Sequence, residues 1–338
     1  MLMESVRGLK AELASNLRFA PSFRGFTFLS QAKVGLEEAA ETTPILPSSI
    51  DLPSSIALGI SINGANDFRL AVRIQRSQPG IDRIVEGIVE RAKGEVDVRR
   101  VGEVFKLSGP LISRTRPLLM GYSVGGAQTT GTVGCFVKTK DGKICILSNN
   151  HVLANENRSK VEDPIIQPGG ADHGQVPADL VARLSCFVPL DVTGVNLMDC
   201  AIASLEAGVT PDPLTLEGLG GLAGVRTSAV QKGLLVAKTG RTTGPTKGKV
   251  TAFEMDGILP QYAAGILKFN QQIEIESAET GRFSSLGDSG SLVVDESNFA
   301  VGLLFAATAF GGSNGHGLNY ATPIDRVLQR LDVELYLS

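Results

Sequence analysis

From about residue 110 onward the chain is a succession of short apolar runs broken by glycine: "TVGCFVKT", "KICILSN", "DCAIASL", "LLVAKTG", "KVTAFEM", "ILKFNQQIEIES", "SLVVD" and "AVGLLFAAT". Each run has the length of one strand, and helical periodicity between them is scarce. Many short strands at this spacing predict an all-β barrel or sandwich. The C-terminal "TPIDRVLQRLDVEL" departs from the pattern. It predicts a short amphipathic helix opened by a Thr cap and Pro323.

The first third reads differently. Residues 1–19 have the spacing of an amphipathic helix, and residues 20–54, with "TTPILPSSIDLPSS", read as an irregular connector. Two period-two runs, "IALGISI" (56–62) and "FRLAVRIQ" (68–75), flank "NGAND" and predict a hairpin with an Asn-Gly turn. "GIDRIVEGIVERAKG" then puts Ile81, Ile84, Val85, Ile88 and Val89 on one helical face, with Gly94 as a stop. A strand, "VDVRRVGEVFKL", follows. The expectation is a small α+β (ββαβ) layer within residues 1–109, needing a partner to cover it, ahead of a mainly β domain over 110–338. A length of 338 residues suits about two domains.

A net charge of −3 gives no electrostatic reason to expect nucleic acid or an anionic membrane as partner. No apolar run is long enough to span a bilayer. The N-terminus lacks the apolar core of a secretory signal, so a cytoplasmic location is the expectation. A two-residue turn at Asp141-Gly142 would set Cys135 opposite Ser148 rather than Cys145. The four cysteines (Cys135, Cys145, Cys186 and Cys200) are therefore expected to be reduced.

The chemistry centres on "GDSGS", Gly287 to Ser291, just before an apolar run. A turn explains the glycines but not Asp288 beside Ser289. A serine hydroxyl becomes a nucleophile only with a base, usually histidine, whose tautomer is held by a further group. There are three histidines. His173 lies in a Gly/Asp loop and His316 among glycines, where a loop role suffices. His151 stands where the strand "ICILS" ends. Asp199, in "NLMDCAIASL", opens an apolar strand, and a carboxylate buried there needs donors. Cys200 beside it fits packing. The order is His151, Asp199, Ser289, separated by 48 and 90 residues.

With "SNNHV", "DCAIA" and "GDSGS" in this order, residues 125–332 resemble the trypsin/chymotrypsin-like serine proteases, which implies a double β-barrel. The resemblance assigns His151, Asp199 and Ser289 as catalytic triad and the amides of Gly287 and Ser289 as oxyanion hole. It implies that Asp288 turns inward and meets a cation. "GRTTG" resembles a segment of the α-lytic and streptogrisin-type proteases and points to an Arg241–Asp288 ion pair. "GTVGCFVKTKDGKICILSNNHV", "AKTGRTTGPTKGKVTAF" and "GDSGSLVV" together look like the plant narrow-leaf proteins and their bacterial relatives, which implies a homo-oligomer. The tail "NYATPIDRVLQRL" also resembles the end of the HtrA-type protease domain.

In that fold Phe283, Ser284, Ser285 and Leu286, then Phe305, Ala306, Ala307 and Gly317, would line the primary pocket. No acid stands at Phe283, which would fill the pocket floor and leave room for a small or medium apolar side chain. Strand 302–307 would pair with the substrate backbone. The family usually places a small hydroxyl residue where Phe305 stands, so Asp199 needs another donor. No metal or cofactor is expected. The resulting expectation is a serine endopeptidase acting on protein or peptide substrates. The alternatives are a catalytically silent protease-fold scaffold assembling through its N-terminal region, and an α/β-hydrolase esterase. The latter needs G-x-S-x-G, and Ser291 stands where its last glycine would be.

Overall fold

A computed structural model describes residues 1–15, 17–18, 52–53, 55–64, 67–75, 79–101, 104–105 and 111–338. Most of the connector and the expected domain boundary near residue 109 lie outside the described residues. The N-terminal part holds helix α1 (Met3–Ser15), strands β1 (Ile56–Gly64) and β2 (Asp67–Ile74), helix α2 (Ile81–Arg91) and strand β3 (Val96–Arg100). β1 and β2 pair antiparallel from Ile56↔Ile74 to Gly64↔Asp67. After α2, β3 returns parallel to β2. The expected ββαβ order is present.

β1 is buried without alternation over its first six residues, because both of its faces are covered. Ile56, Leu58, Leu70, Val72 and Ile74 pack with Leu13 of α1 and with Ile81 and Ile88 of α2. The other face carries small residues, Ala57, Gly59 and Ala71. They allow close approach to Met255, and a Cβ on Gly59 would come within 1.7 Å of its sulfur.

The partner for that face is the C-terminal two thirds. Its first half holds β4 (Cys135–Thr139), β5 (Ile144–Ser148), the one-turn helix α3 (Asn150–Leu153), β6 (Pro164–Ile166), β7 (Leu180–Phe187) and β8 (Ala201–Leu205). The second half holds β9 (Leu235–Gly240), β10 (Gly244–Asp256), β11 (Gln272–Ser277), β12 (Leu292–Asp295), β13 (Phe299–Thr308) and β14 (Leu318–Pro323). Helix α4 (Ile324–Leu331) and strand β15 (Val333–Leu335) end the chain.

The first unit is a sheet in the order β6-β7-β8-β5-β4-β15, antiparallel throughout. Its last strand comes from the chain's end, and α4 buries Ile324, Val327, Leu328 and Leu331 in the same core. The second unit runs β9-β12-β13-β14-β11-β10, and a further β9–β10 pairing closes it into a six-stranded barrel. The expected mainly β fold, with a small α+β layer in front, is the fold observed.

β10 is 13 residues long and pairs with β11 along one edge. Its other edge takes β9 as far as Lys249 and then β1, through Phe253↔Ile60 and Asp256↔Leu58. The N-terminal layer thus continues the barrel wall. Arg73, fully buried, reaches across from β2 to Glu274, also fully buried, with Nε–Oε2 and Nη2–Oε1 both at 2.7 Å.

Two local details correct the sequence reading. Cys135 pairs with Leu147, one residue short of Ser148. Thr139 bonds Lys143, so the turn holds three residues, with Gly142 at φ +87°. Cysteines 135, 145 and 200 are buried and Cys186 is exposed, all as free thiols.

Removing one partner of a buried pair leaves an uncompensated charge, whereas replacing both need not. Arg73→Met should therefore cost about 3–5 kcal/mol by denaturant titration, and Arg73→Met with Glu274→Met should recover most of that loss. Equal losses in the single and double variants would show that the pair does not act as a unit.

Candidate active site

Strand β5 ends at Ser148, and the chain turns at once into α3, which carries His151. Asn149 fixes that turn: its Nδ2 donates to the backbone carbonyl of Asp199 at 2.6 Å. Asn150 clamps the far side, donating to Asn157 Oδ1 and to the carbonyl of Val188, each at 2.8 Å. Asp199 sits two residues before β8, with no exposed surface.

The Asp199 carboxylate receives three donors. His151 Nδ1 bonds Oδ2 at close range, the His151 amide donates to Oδ1 at 3.2 Å, and the Tyr262 hydroxyl donates to Oδ2 at 2.6 Å. Burial works against the charge of Asp199. The neighbouring imidazole and these hydrogen bonds outweigh it and hold the carboxyl below its ordinary range. Burial, reinforced by the Asp199 charge, pushes the Tyr262 phenol well above its usual value, so Tyr262 is a donor. His151 Nε2, on the other side of the ring, is buried with no partner among the described residues.

Ser289 lies on a turn between the two β units. Gly287 and Gly290 both take φ +94°, a conformation that favours glycine. The Gly287 carbonyl accepts from Thr132 Oγ1 at 2.5 Å, and the Ser289 carbonyl accepts from the Thr132 amide at 2.9 Å. The first unit thereby grips the turn of the second. A Cβ on Gly131 would meet Val152, next to His151, at 2.3 Å and the Ser289 carbonyl at 2.8 Å. The amides of Gly287 and Ser289 bond no acceptor among the described residues. The Ser289 hydroxyl donates to the Phe305 carbonyl at 3.4 Å.

Asp288 turns inward and is fully buried, but its cation is not Arg241. Lys238 Nζ lies 3.2 Å from Asp288 Oδ2, both side chains without exposed surface. Arg241 pairs instead with Asp172, through Nε at 2.5 Å and through Nη2. The reason is strand alternation. Lys238 and Gly240 share one face of β9, and a Cβ on Gly240 would meet Asp288 Oδ1 at 2.4 Å. Arg241, one residue on, projects away. The amides of Thr242 (2.7 Å), Ser285 (2.8 Å) and Thr243 (3.2 Å) and the Thr243 hydroxyl (2.8 Å) also donate to the Asp288 carboxylate.

The expected pocket floor is a second correction. Phe283 is fully buried inside the barrel with Val236, Val250, Ile275 and Val293. Gly248 makes room for it, since a Cβ there would lie 2.8 Å from the ring. Phe305 is likewise a core residue, its ring tilted against Phe269 at 4.8 Å. Ser284 donates to Asn319 Oδ1 at 2.5 Å. Ala306 and Ala307 are buried in β13, and Gly317 takes φ +94° beside the Thr308 carbonyl. His173 is exposed in its loop, and His316 is half-buried with its amide on Asn314 Oδ1 at 2.9 Å. Among the described residues, no cluster of three His, Cys, Asp or Glu side chains could hold a metal.

Sequence reading missed Tyr262, Lys238 and Asn149. Only Asn149 carried a signal, as the first of two polar residues between an apolar strand and a histidine.

No family model and no curated protein matches the chain. Solved structures do resemble it. Thermobifida fusca protease A aligns over 65% of this chain and 99% of its own, at 16% identity and a TM-score of 0.46. Cellulomonas bogoriensis chymotrypsin aligns over 65% and 99%, at 18% identity and a TM-score of 0.44. A glutamic acid specific serine protease, described as using a histidine triad in substrate binding, aligns over 65% and 100%, at 19% identity and a TM-score of 0.46. At such identities the likeness concerns the path of the chain alone.

Lys238→Met leaves Asp288 buried with hydrogen bonds but no cation. Its unfolding free energy, measured with denaturant, should fall by about 3 kcal/mol; a loss under about 1 kcal/mol would mean the hydrogen bonds suffice. Asp199 titrates below its unfolded value near 3.9, so it contributes stability above that pH. The contribution is lost as pH falls through the folded value. Asp199→Asn should flatten that part of the acid-unfolding curve, and an unchanged slope would contradict the depressed carboxyl.

Proposed function

We propose that the protein is a serine endopeptidase that cleaves peptide bonds through an acyl-enzyme. His151, Asp199 and Ser289 form its triad, and the Gly287 and Ser289 amides form its oxyanion hole. The observation that carries this reading is the imidazole of His151, tied through Nδ1 to a fully buried carboxylate while Nε2 is buried without a partner among the described residues. With the proton on Nδ1, Nε2 is a base.

In the proposed reaction Ser289 Oγ attacks the substrate carbonyl carbon as its proton passes to Nε2. The oxygen of the tetrahedral intermediate takes its charge toward the two free amides. The imidazolium then returns the proton to the departing amine, and water repeats the sequence to release the acid. Asp199 stays ionised throughout and stabilises the imidazolium. Within residues 302–307 of β13, Gly302 to Leu304 are already bonded on both edges, so a substrate backbone would add only at Phe305 to Ala307, where Val104–Phe105 now pairs with Ala307.

A catalytically silent scaffold draws support from one observation, the Ser289 hydroxyl resting on the Phe305 carbonyl rather than on His151. That contact is long for an O–H donor, and one rotamer change releases it. A buried nitrogen without a partner costs about 1–3 kcal/mol, which favours a hydroxyl that returns to it. A homo-oligomer is proposed alongside the endopeptidase, as the likeness of the quoted motifs to the narrow-leaf proteins and their bacterial relatives implies. A monomer mass by light scattering would remove that part of the proposal.

A fluorophosphonate probe should label the wild-type protein and leave Ser289→Ala and His151→Ala unlabelled. Asp199→Asn should slow peptide cleavage by roughly three to four orders of magnitude. A folded wild-type protein that takes no label and cleaves no member of a peptide library would leave the scaffold reading standing.

A further inference from the structure

We propose that Tyr262 is the positioning residue of the His151–Asp199 pair, supplying from a surface-ward hairpin the hydroxyl that the strand beside the nucleophile does not carry. The inference rests on the reading of His151 and Ser289 as base and nucleophile.

At residue 305, on the strand that accepts the Ser289 hydroxyl, this chain has phenylalanine, which can donate nothing to Asp199. Tyr262 lies in the short hairpin formed by Gln261–Tyr262 and Gly265–Ile266. Its hydroxyl shares Asp199 Oδ2 with His151 Nδ1. With Oδ1 held by the His151 amide, the carboxylate is fixed at both ends and cannot rotate away from the imidazole. The phenol ring meets His151 edge-on, with centroids 5.7 Å apart. The tyrosine both orders the carboxylate and walls one side of the base.

Tyr262 is itself held from behind. Its ring stacks on Phe269 at 5.9 Å, and Phe269 leans on Phe305. Ala57, Ala71 and Val101 of the N-terminal layer belong to the same buried cluster. The hydroxyl is therefore placed by the layer ahead of the barrels as well as by its own hairpin.

Two donors on one carboxylate oxygen compete, which gives the test a sign. In a Ser289→Ala background, the His151 Nδ1 proton is followed by NMR with nitrogen-15 histidine. Adding Tyr262→Phe should move that resonance downfield, because the carboxylate then serves the imidazole alone. Replacing tyrosine throughout by 3-fluorotyrosine, a stronger phenol donor, should move it upfield without removing any ring. In the Ser289 protein, Tyr262→Phe should lower kcat about tenfold with KM unchanged and slow fluorophosphonate labelling in proportion.

A tyrosine that only packs predicts a lower unfolding temperature with resonance and kcat unmoved, and that result overturns the proposal. If the wild-type protein neither labels nor cleaves, the hydrolase reading falls, and the two resonance shifts still decide the role of Tyr262. If labelling is intact and neither shift occurs, the hydrolase reading stands and the positioning role falls.

Discussion

One strand has to satisfy three neighbours. β10 closes the second barrel against β9, lines β11 along its whole length, and hands its last turn of sequence to β1. A shorter strand would close the barrel or hold the N-terminal layer, but not both. Because β10 does both, the hairpin of residues 56–74 extends a barrel wall and is covered on its second face. Small residues at 57, 59 and 71 follow from that constraint, since a larger side chain would push the layer off Met255.

Of three buried charge pairs, only one lies between parts. Arg73 joins the N-terminal layer to the barrel, Lys238 meets Asp288 under the Ser289 turn, and Asp199 meets His151 in the first unit. Each is buried, so each adds geometric demand more than net stability. The seam between the two β units is made differently, from Thr132 and glycine backbone. Three contacts of that kind hold the Ser289 turn against the histidine-bearing sheet: the Thr132 hydroxyl, the Thr132 amide and the close approach of Gly131.

The order of strands, the terminal helix and the pairing of His151 with Asp199 were legible because each leaves a local mark. A strand has its period, a cap its proline, and an acid among apolar residues its cost. The partners of those residues were not legible. Tyr262 reaches Asp199 from 63 positions away through a hairpin with no periodic signal. Lys238 and Arg241 are equally plausible cations in one short stretch, and only the face of β9 separates them. Phe283 looked like a pocket floor because its neighbours in sequence lead to Ser289, yet the barrel interior takes its ring. β15 pairs with β4 across more than half the chain length, a pairing no local pattern announces.

The segment Val104–Phe105 pairs antiparallel with Ala307 and Thr308 at the end of β13. Backbone groups bonded in this way are not open to an incoming peptide. Any peptide added to β13 there would have an intramolecular rival whose local concentration does not fall on dilution. Occupancy by a peptide then requires that rival to leave, and apparent affinity is scaled down by the fraction of molecules in which it has left.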